Sequence, residues 1–292
     1  MTDEPMTTET PTPGAYTGVS FEQYFLWDAA NHSLLKQYRK TPAHADHYRR
    51  FGDTPTAAMD VGTATHAALL EPNLFARDFV AMPTFDGHHA SNKHKQAKAE
   101  WLNANKDKIT LAEADMQQAL ACQAAAMAHP IARELLTAPG ANELSCVWTD
   151  PTTGLTCKTR ADRMIRYQGV STVVDIKTTI NGDPDSWPRE IAKYSYHTQA
   201  AIELAALNTL QPAARQYLFI VLDKGGKGDP PALCAVYSLE EDARLEGDRL
   251  VKRWLGQHKR CVDSGEWPGY PPSIMPVSIP TWAFKMGDMP ED

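Results

Sequence analysis

The sequence predicts an α/β fold in which helices precede and follow a central sheet, and three observations carry that prediction. Residues 21–136 are dominated by helical spacing of apolar positions and by Ala, Lys, Gln and Glu. From Glu143 the period shifts to short β-rich runs broken by turn residues. Helical spacing returns at 185–207 and again at 239–262, on either side of one more strand pair.

The elements follow in order. Residues 21–38 read as a helix with Tyr24, Leu26, Leu34 and Leu35 as its apolar content, closed by Pro42. Residues 61–70 suit a second helix, broken by Pro72, and residues 91–136 read as two helices parted near Ile109. A strand at 144–149 leads through the turn Pro151-Thr152-Thr153-Gly154 into two long runs, 155–166 and 170–178, separated by Gln168-Gly169. The helix at 185–207 contains the Ala-rich stretch 200–206, suited to close packing. Residues 217–222 and 232–239 form a further pair around a Gly/Pro loop. Within it, Gly225-Gly226-Lys227-Gly228 lacks the spacing of a phosphate loop. A charged amphipathic helix at 239–262 and a Pro-rich segment end the chain.

Composition narrows the class. With 292 residues, 42% hydrophobic and 22% charged, the chain has enough apolar surface for a real core. It contains no run of eighteen apolar residues, so no membrane span is expected. The acidic, Thr- and Pro-rich start reads as a disordered tail over 1–16, followed by one domain over 17–285 and a short tail over 286–292. Five cysteines, Cys122, Cys146, Cys157, Cys234 and Cys261, are odd in number and form no C-x-x-C pair. That pattern argues against a disulfide framework or a structural zinc and for a reducing cytoplasm. A net charge of −7 disfavours a generic nucleic-acid binder. Local basic clusters soften this: Lys36, Arg39, Lys40, Arg49 and Arg50; Lys93, Lys95 and Lys98; and Lys158, Arg160, Arg163 and Arg166.

The most informative spacing is Asp162, twelve residues, then Asp175-Ile176-Lys177, the chain's only acid-x-Lys. If Gln168-Gly169 is the hairpin loop, Asp162 lies directly opposite Asp175 with both side chains on one face. Lys177 shares that face and Ile176 points into the core. Facing like charges destabilise a hairpin unless neutralised, and a hard cation with oxygen ligands would do so. His66 sits in an apolar helix, where a satisfied core histidine is the ordinary reading. Glu143 fits an exposed edge charge as well as a ligand. Gln199 and Glu203 share a helix face, with Tyr196 one turn earlier. His88, His89 and His94 lie in a polar loop without acids at ligand spacing, which speaks against a metal cluster there.

Five ordered segments together resemble the RecE family of phage and prophage exonucleases (the exonuclease VIII nuclease domain), in the RecB-like branch of PD-(D/E)xK nucleases. They are 62–72 around His66, Glu143 to Trp148, Cys157 to Asp162, Val174 to Thr179, and Tyr194 to Ala200; Glu266-Trp267-Pro268 and Pro280-Thr281-Trp282 resemble the family's ending. The resemblance covers roughly residues 17–285. It implies a restriction-endonuclease-like core, a central mixed β-sheet flanked by helices with a helical amino-terminal part.

The resemblance also implies roles. His66, Asp162, Asp175 and the Ile176 carbonyl would hold Mg²⁺, with Mn²⁺ as a substitute. Lys177 would orient or deprotonate the attacking water, with a lowered pKa if buried beside the metal, and Gln199 would position the scissile end. Glu143, Tyr194 and Arg160 are accessory candidates, and Lys158, Arg160 and Arg163 are candidates for DNA contact. Two departures stand out: Ala161 replaces a frequent proline, and Glu203 stands where the family's Gln-x-x-x-Tyr motif has tyrosine. The implied activity is Mg²⁺-dependent digestion of linear double-stranded DNA, 5′ to 3′, leaving 3′ single strands for a single-strand-annealing recombinase. The implied assembly is a homo-oligomer, a tetrameric ring. The rival readings are an endonuclease on the same core and a non-catalytic DNA-end-binding recombination partner. The scattered cysteines do not match the cluster ligands of iron–sulfur relatives.

Overall fold

The computed structural model describes residues 9–52, 57–86, 91–225 and 232–280, without the side chains of 57–60. Its centre is a six-stranded mixed sheet in the order β1-β4-β5-β6-β7-β8, as the sequence predicts for an α/β fold flanked by helices. The strands are β1 (Gly14–Tyr16), β4 (Gly140–Thr149), β5 (Thr156–Tyr167), β6 (Val170–Thr179), β7 (Arg215–Asp223) and β8 (Leu233–Ser238). All neighbours are antiparallel except β6 and β7, which run parallel. A parallel pair needs a crossover, supplied here by α9 (Trp187–Tyr194) and α10 (Tyr196–Leu210). A small parallel pair, β2 (Phe79–Met82) with β3 (Ile109–Ala112), lies apart from the main sheet.

The amino-terminal part is more broken than its periodicity suggests. Residues 21–38 form α1 (Phe21–Leu26), α2 (His32–Leu35) and a 3-10 turn (Lys36–Arg39). Ser20 and Asn31 each cap a new start through the side chain. Pro42 opens α3 (Pro42–Phe51) as its first residue, and Pro72 likewise opens α5 (Pro72–Asp78) after α4 (Ala57–Leu70). Between α6 (Asn92–Ala104) and α7 (Glu113–Ala128) the chain forms β3, and α8 (Pro130–Thr137) precedes the sheet. A final helix, α11 (Glu241–Ser264), packs on α10. Their close approach depends on Gly247, where a Cβ would come within 2.2 Å of the His197 carbonyl.

The sheet separates two cores. One joins Cys146, Trp148, Cys157, Val173, Phe219 and Val221 to α10 and α11. The other joins Ile165, Val174, Ile176, Ile220 and Leu222 to Leu70 of α4 and to α7 and α8. β6 and β7 are therefore buried on both faces, which accounts for their nearly continuous apolar sequences. The expected disordered tail over 1–16 is corrected at its inner end. Gly14–Tyr16 pairs with Ser145–Val147, and the Tyr16 ring meets Trp27 edge-on. Residues 1–8, His88, His89, the loop from Gly226 to Gly228, Trp282 and the tail over 286–292 lie outside the described residues.

Candidate metal centre and its surroundings

The site lies where β5 and β6 part. The two strands pair from Tyr167–Val170 to Arg163–Val174, the register expected from a Gln168-Gly169 loop. One step further the ladder stops. The Asp162 carboxylate accepts the Ile176 N–H at 2.7 Å, while β5 continues beside β4 and β6 beside β7. The direct cross-strand pair expected for Asp162 and Asp175 is thus replaced by a side-chain-to-backbone bond. Like charges oppose each other less when one of them takes a neighbouring N–H.

β4 yields at the same level. Glu143 has φ 49° and drops out of the ladder between Asn142–Arg163 and Leu144–Ala161. A left-handed non-glycine residue costs about 1–3 kcal/mol and persists only where its surroundings impose it. Here it accompanies the gathering of Glu143, Asp162 and His66, whose ligand atoms all lie within 4.8 Å of one another.

His66 reaches the cleft from α4. Its Nε2 is 2.9 Å from the Ile176 carbonyl oxygen and its Nδ1 is 3.6 Å from Asp162 Oδ2. Neighbouring ligands of an octahedral ion with bonds of about 2.1 Å stand roughly 3 Å apart. The separations here, 3.6 Å from His66 to Asp162 and up to 4.8 Å within the group, are wider than that, so an ion would draw the ligands inward. The chemistry of one imidazole, a backbone carbonyl and two carboxylates suits a hard divalent cation, and no thiol belongs to the group.

Asp175 sits deeper. Its carboxylate is buried, 2.5 Å from Lys177 Nζ, and takes a 2.9 Å bond from Gln199 Nε2. Burial pushes its pKa up to about 6, against the pull of Lys177. Burial pushes Glu143 further, to about 8, and the Asp162 charge adds to it. For Lys177, burial favours the neutral amine, but Asp175 and Asp162 outweigh it and hold the ammonium above its usual range. The lowered lysine pKa expected from the sequence is therefore corrected for the protein alone: Lys177 is a protonated donor here. Tyr196 covers it, with the ammonium 4.9 Å from the ring centroid, and Tyr194 stacks on Tyr196 from outside at 5.6 Å.

Beneath Gln199 lies Glu203, fully buried, accepting from Gln199 Nε2 and from the Tyr217 hydroxyl at 2.9 Å each. Burial, with Asp175 and Asp162 adding, holds its carboxyl well above the ordinary range.

A family model described as "PDDEXK-like domain of unknown function (DUF3799)" matches residues 31–274. The chain belongs to this PDDEXK-like family. Among solved structures, a candidate exonuclease from Eubacterium rectale superposes with a TM-score of 0.56 at 12% identity, covering 89% of this chain and 94% of that one. At that identity the likeness shows the fold. The crystal structure of SSO0001 overlaps more weakly, with a TM-score of 0.28 and 14% identity over 68% of this chain and 86% of that one. No curated protein matches the sequence.

Within this PDDEXK-like fold, the basic residues expected to touch DNA are engaged elsewhere. Lys158 is buried, and its ammonium donates to the carbonyls of Tyr24, Phe25 and Trp27 at the end of α1. Arg163 is buried and closes the end of α8 through the carbonyls of Leu135 and Ala138 and the side chain of Asn142. Arg160 donates to Ser145 and to the carbonyls of Val19 and Ser20, over the Tyr24 ring. These are structural cations, because the strand that carries Asp162 also anchors α1 and α8, and helix ends need partners for their last carbonyls. The sequence reading missed Tyr217, whose strand alternation puts it on the face of Phe219 and Val221, toward α10. It also missed Glu71, close enough to Glu143 to raise its pKa.

Proposed function

We propose that this protein is a divalent-metal-dependent exodeoxyribonuclease that digests linear double-stranded DNA 5′ to 3′. Membership of the PDDEXK-like family and the fold shared with a candidate exonuclease support a nuclease. The observation that carries the reading is the cleft between β5 and β6, where His66, Glu143, Asp162 and the Ile176 carbonyl converge beside the Asp175–Lys177 pair. The polarity and the supply of 3′ single strands to an annealing recombinase rest on the RecE-like motifs.

His66, Asp162, Asp175 and the Ile176 carbonyl would hold the ion, Mg²⁺ or Mn²⁺, with Glu143 as a further oxygen donor. When bound, such an ion supplies Lewis-acid polarisation of the phosphoryl oxygen and neutralises charge that develops in the transition state. Lys177, protonated and fixed between Asp175 and Tyr196, donates a hydrogen bond that orients the attacking water. Water adds to phosphorus as the P–O3′ bond breaks; the water gives one proton to solvent and the leaving 3′ oxygen takes one up, so a 5′ phosphate and a 3′ hydroxyl result. Gln199 keeps Asp175 in place through its amide. The hard donor set favours Mg²⁺ and Mn²⁺, while Ca²⁺ should bind without turnover.

Incubating linear duplex labelled at either its 5′ or its 3′ ends with Mg²⁺ tests the reading. Early release of the 5′ label with a persisting 3′ single strand is expected; nicking of closed circles would favour an endonuclease, and full activity in EDTA would remove the metal. A tetrameric ring is proposed with it, since enclosing the duplex concentrates the basic groups of an acidic chain. Sedimentation of an active, strictly monomeric enzyme would exclude that assembly.

A further inference from the structure

With Lys158 and Arg163 buried in the fold, other cations must meet the DNA. A cavity of about 380 Å³ lies between the 3-10 turn at Lys36–Arg39, the joint of α9 and α10, and α11. Its polar lining is Arg39, Arg253, Ser195, His197 and Tyr38, and no carboxylate lines it. Neither arginine has an ion-pair partner among the described residues, whereas Arg49 and Arg50 share Asp46 and Arg249 pairs with Glu246. Arg39 is also fixed in place: its Nη1 donates to the Lys193 carbonyl at 2.9 Å and to Ser195 Oγ at 2.6 Å. Arg253 is exposed on α11 and completes the cavity from the far side.

Two arginines on one cavity whose lining holds no carboxylate, in a chain of net charge −7, suit an anion. Planar forks of donors match the paired oxygens of phosphate or carboxylate, and the duplex that a nuclease holds supplies phosphate. The cavity borders the α9–α10 joint, which leads in sequence to the residue covering Lys177. Ser195, left-handed at φ 64°, joins α9 to α10 and is followed by Tyr196, whose ring lies over Lys177. An anion held there would sit beside the joint from which Tyr196 extends.

We propose that the Arg39–Arg253 cavity is a phosphate subsite that holds one backbone phosphate of the bound DNA. The inference rests on the nuclease reading above and adds to it the contact that sets the strand's path. Because Arg39 also ties the α9–α10 joint, Arg253 is the cleaner probe.

The test uses the full chain in Ca²⁺ and measures anisotropy of a fluorescein-labelled 20-base-pair duplex across a KCl series. Hydrolysis of the small diester thymidine 5′-p-nitrophenyl phosphate in Mn²⁺ is measured beside it. Arg253→Ala should weaken duplex binding about tenfold and reduce the slope of log K against log salt by about 1. Arg253→Lys should keep the slope but recover only part of the affinity, and both variants should cleave the small diester within twofold of the parent. A parental affinity and slope in Arg253→Ala overturns the subsite, as does a parallel loss of small-diester cleavage. A parent that cleaves the diester but binds no duplex also overturns it. A parent that cleaves neither diester nor DNA sinks the nuclease reading itself, a result distinct from the others.

Discussion

Glu203 and Gln199 are hydrogen-bonded across one turn of α10, and the same Gln199 nitrogen reaches Asp175, so a fully buried carboxyl is linked to the metal centre through one amide. Tyr217 secures the far side of that carboxyl from β7. Glu203 thus fixes which way the Gln199 amide faces: its N–H groups are directed at two carboxyl groups. A tyrosine at 203 lacks the two carboxyl oxygens that make this link, one accepting from the Gln199 amide and the other from the Tyr217 hydroxyl.

Glu203→Leu should therefore weaken Mn²⁺ binding by about 10–100-fold, the range for partners that orient metal ligands. Glu203→Gln, which retains an acceptor for Gln199, should recover most of it. Calorimetric titration with Mn²⁺ reads both, and equal affinity in Glu203→Leu and the parent would dismiss the link.

Lys177→Met removes the donor beside the water but leaves His66, Asp162 and Glu143 in place. Single-turnover digestion should slow by roughly 10²–10⁴-fold, with DNA affinity in Ca²⁺ changed far less. A rate within twofold of the parent would mark Lys177 as a structural partner of Asp175 only.

Stability of the metal-free protein should fall as pH rises above about 6.5. Asp175, near 6, and Glu143, near 8, both titrate above their ordinary range. At these two carboxyls the folded state holds more protons than the unfolded chain between about pH 4 and 8, and each proton released destabilises the fold. His32 and His258, lowered by burial to about 3 and about 4, act with the opposite sign only below about pH 6.5, so the carboxyls set the trend above it. Saturating Mg²⁺ should flatten or reverse the trend, because the ion stabilises the deprotonated ligands. Melting curves at pH 6.5 and 8.5, with EDTA and with Mg²⁺, check the sign; a metal-free protein more stable at 8.5 contradicts it.

Arg163→Ala should act on the fold and not on DNA. It strands the carbonyls of Leu135 and Ala138 at the end of α8 and leaves Asn142 without its partner, at a cost of about 2–4 kcal/mol. Urea titration should show that loss, while the salt dependence of DNA binding stays parental.

Much of this was legible in the sequence. Turn chemistry at Gln168-Gly169 specified the β5–β6 register, and alternation placed Ile176 on one face of β6 with Asp175 and Lys177 together on the other. The parting of the strands was not legible, because it depends on Asp162 taking a backbone N–H and on Glu143 adopting a left-handed conformation, and neither is a matter of period. Charge was the least readable signal. Lys158, Arg160 and Arg163 look like a nucleic-acid face until α1 and α8 close over them, whereas Arg39 and Arg253 are over two hundred positions apart and come to line one cavity only in the folded chain.

The two sides of the cleft belong to different folding neighbourhoods. Asp175, Lys177, Gln199, Glu203 and Tyr217 all come from the single unit β6–α9–α10–β7, whose contacts close over a short stretch of chain. His66 arrives from α4, more than a hundred residues upstream. An ion gripped from both sides would act as a rivet between a locally assembled half and a remote helix. Chelation should then loosen α4 well before it disturbs the strands, giving the amino-terminal layer a stability that depends on metal supply.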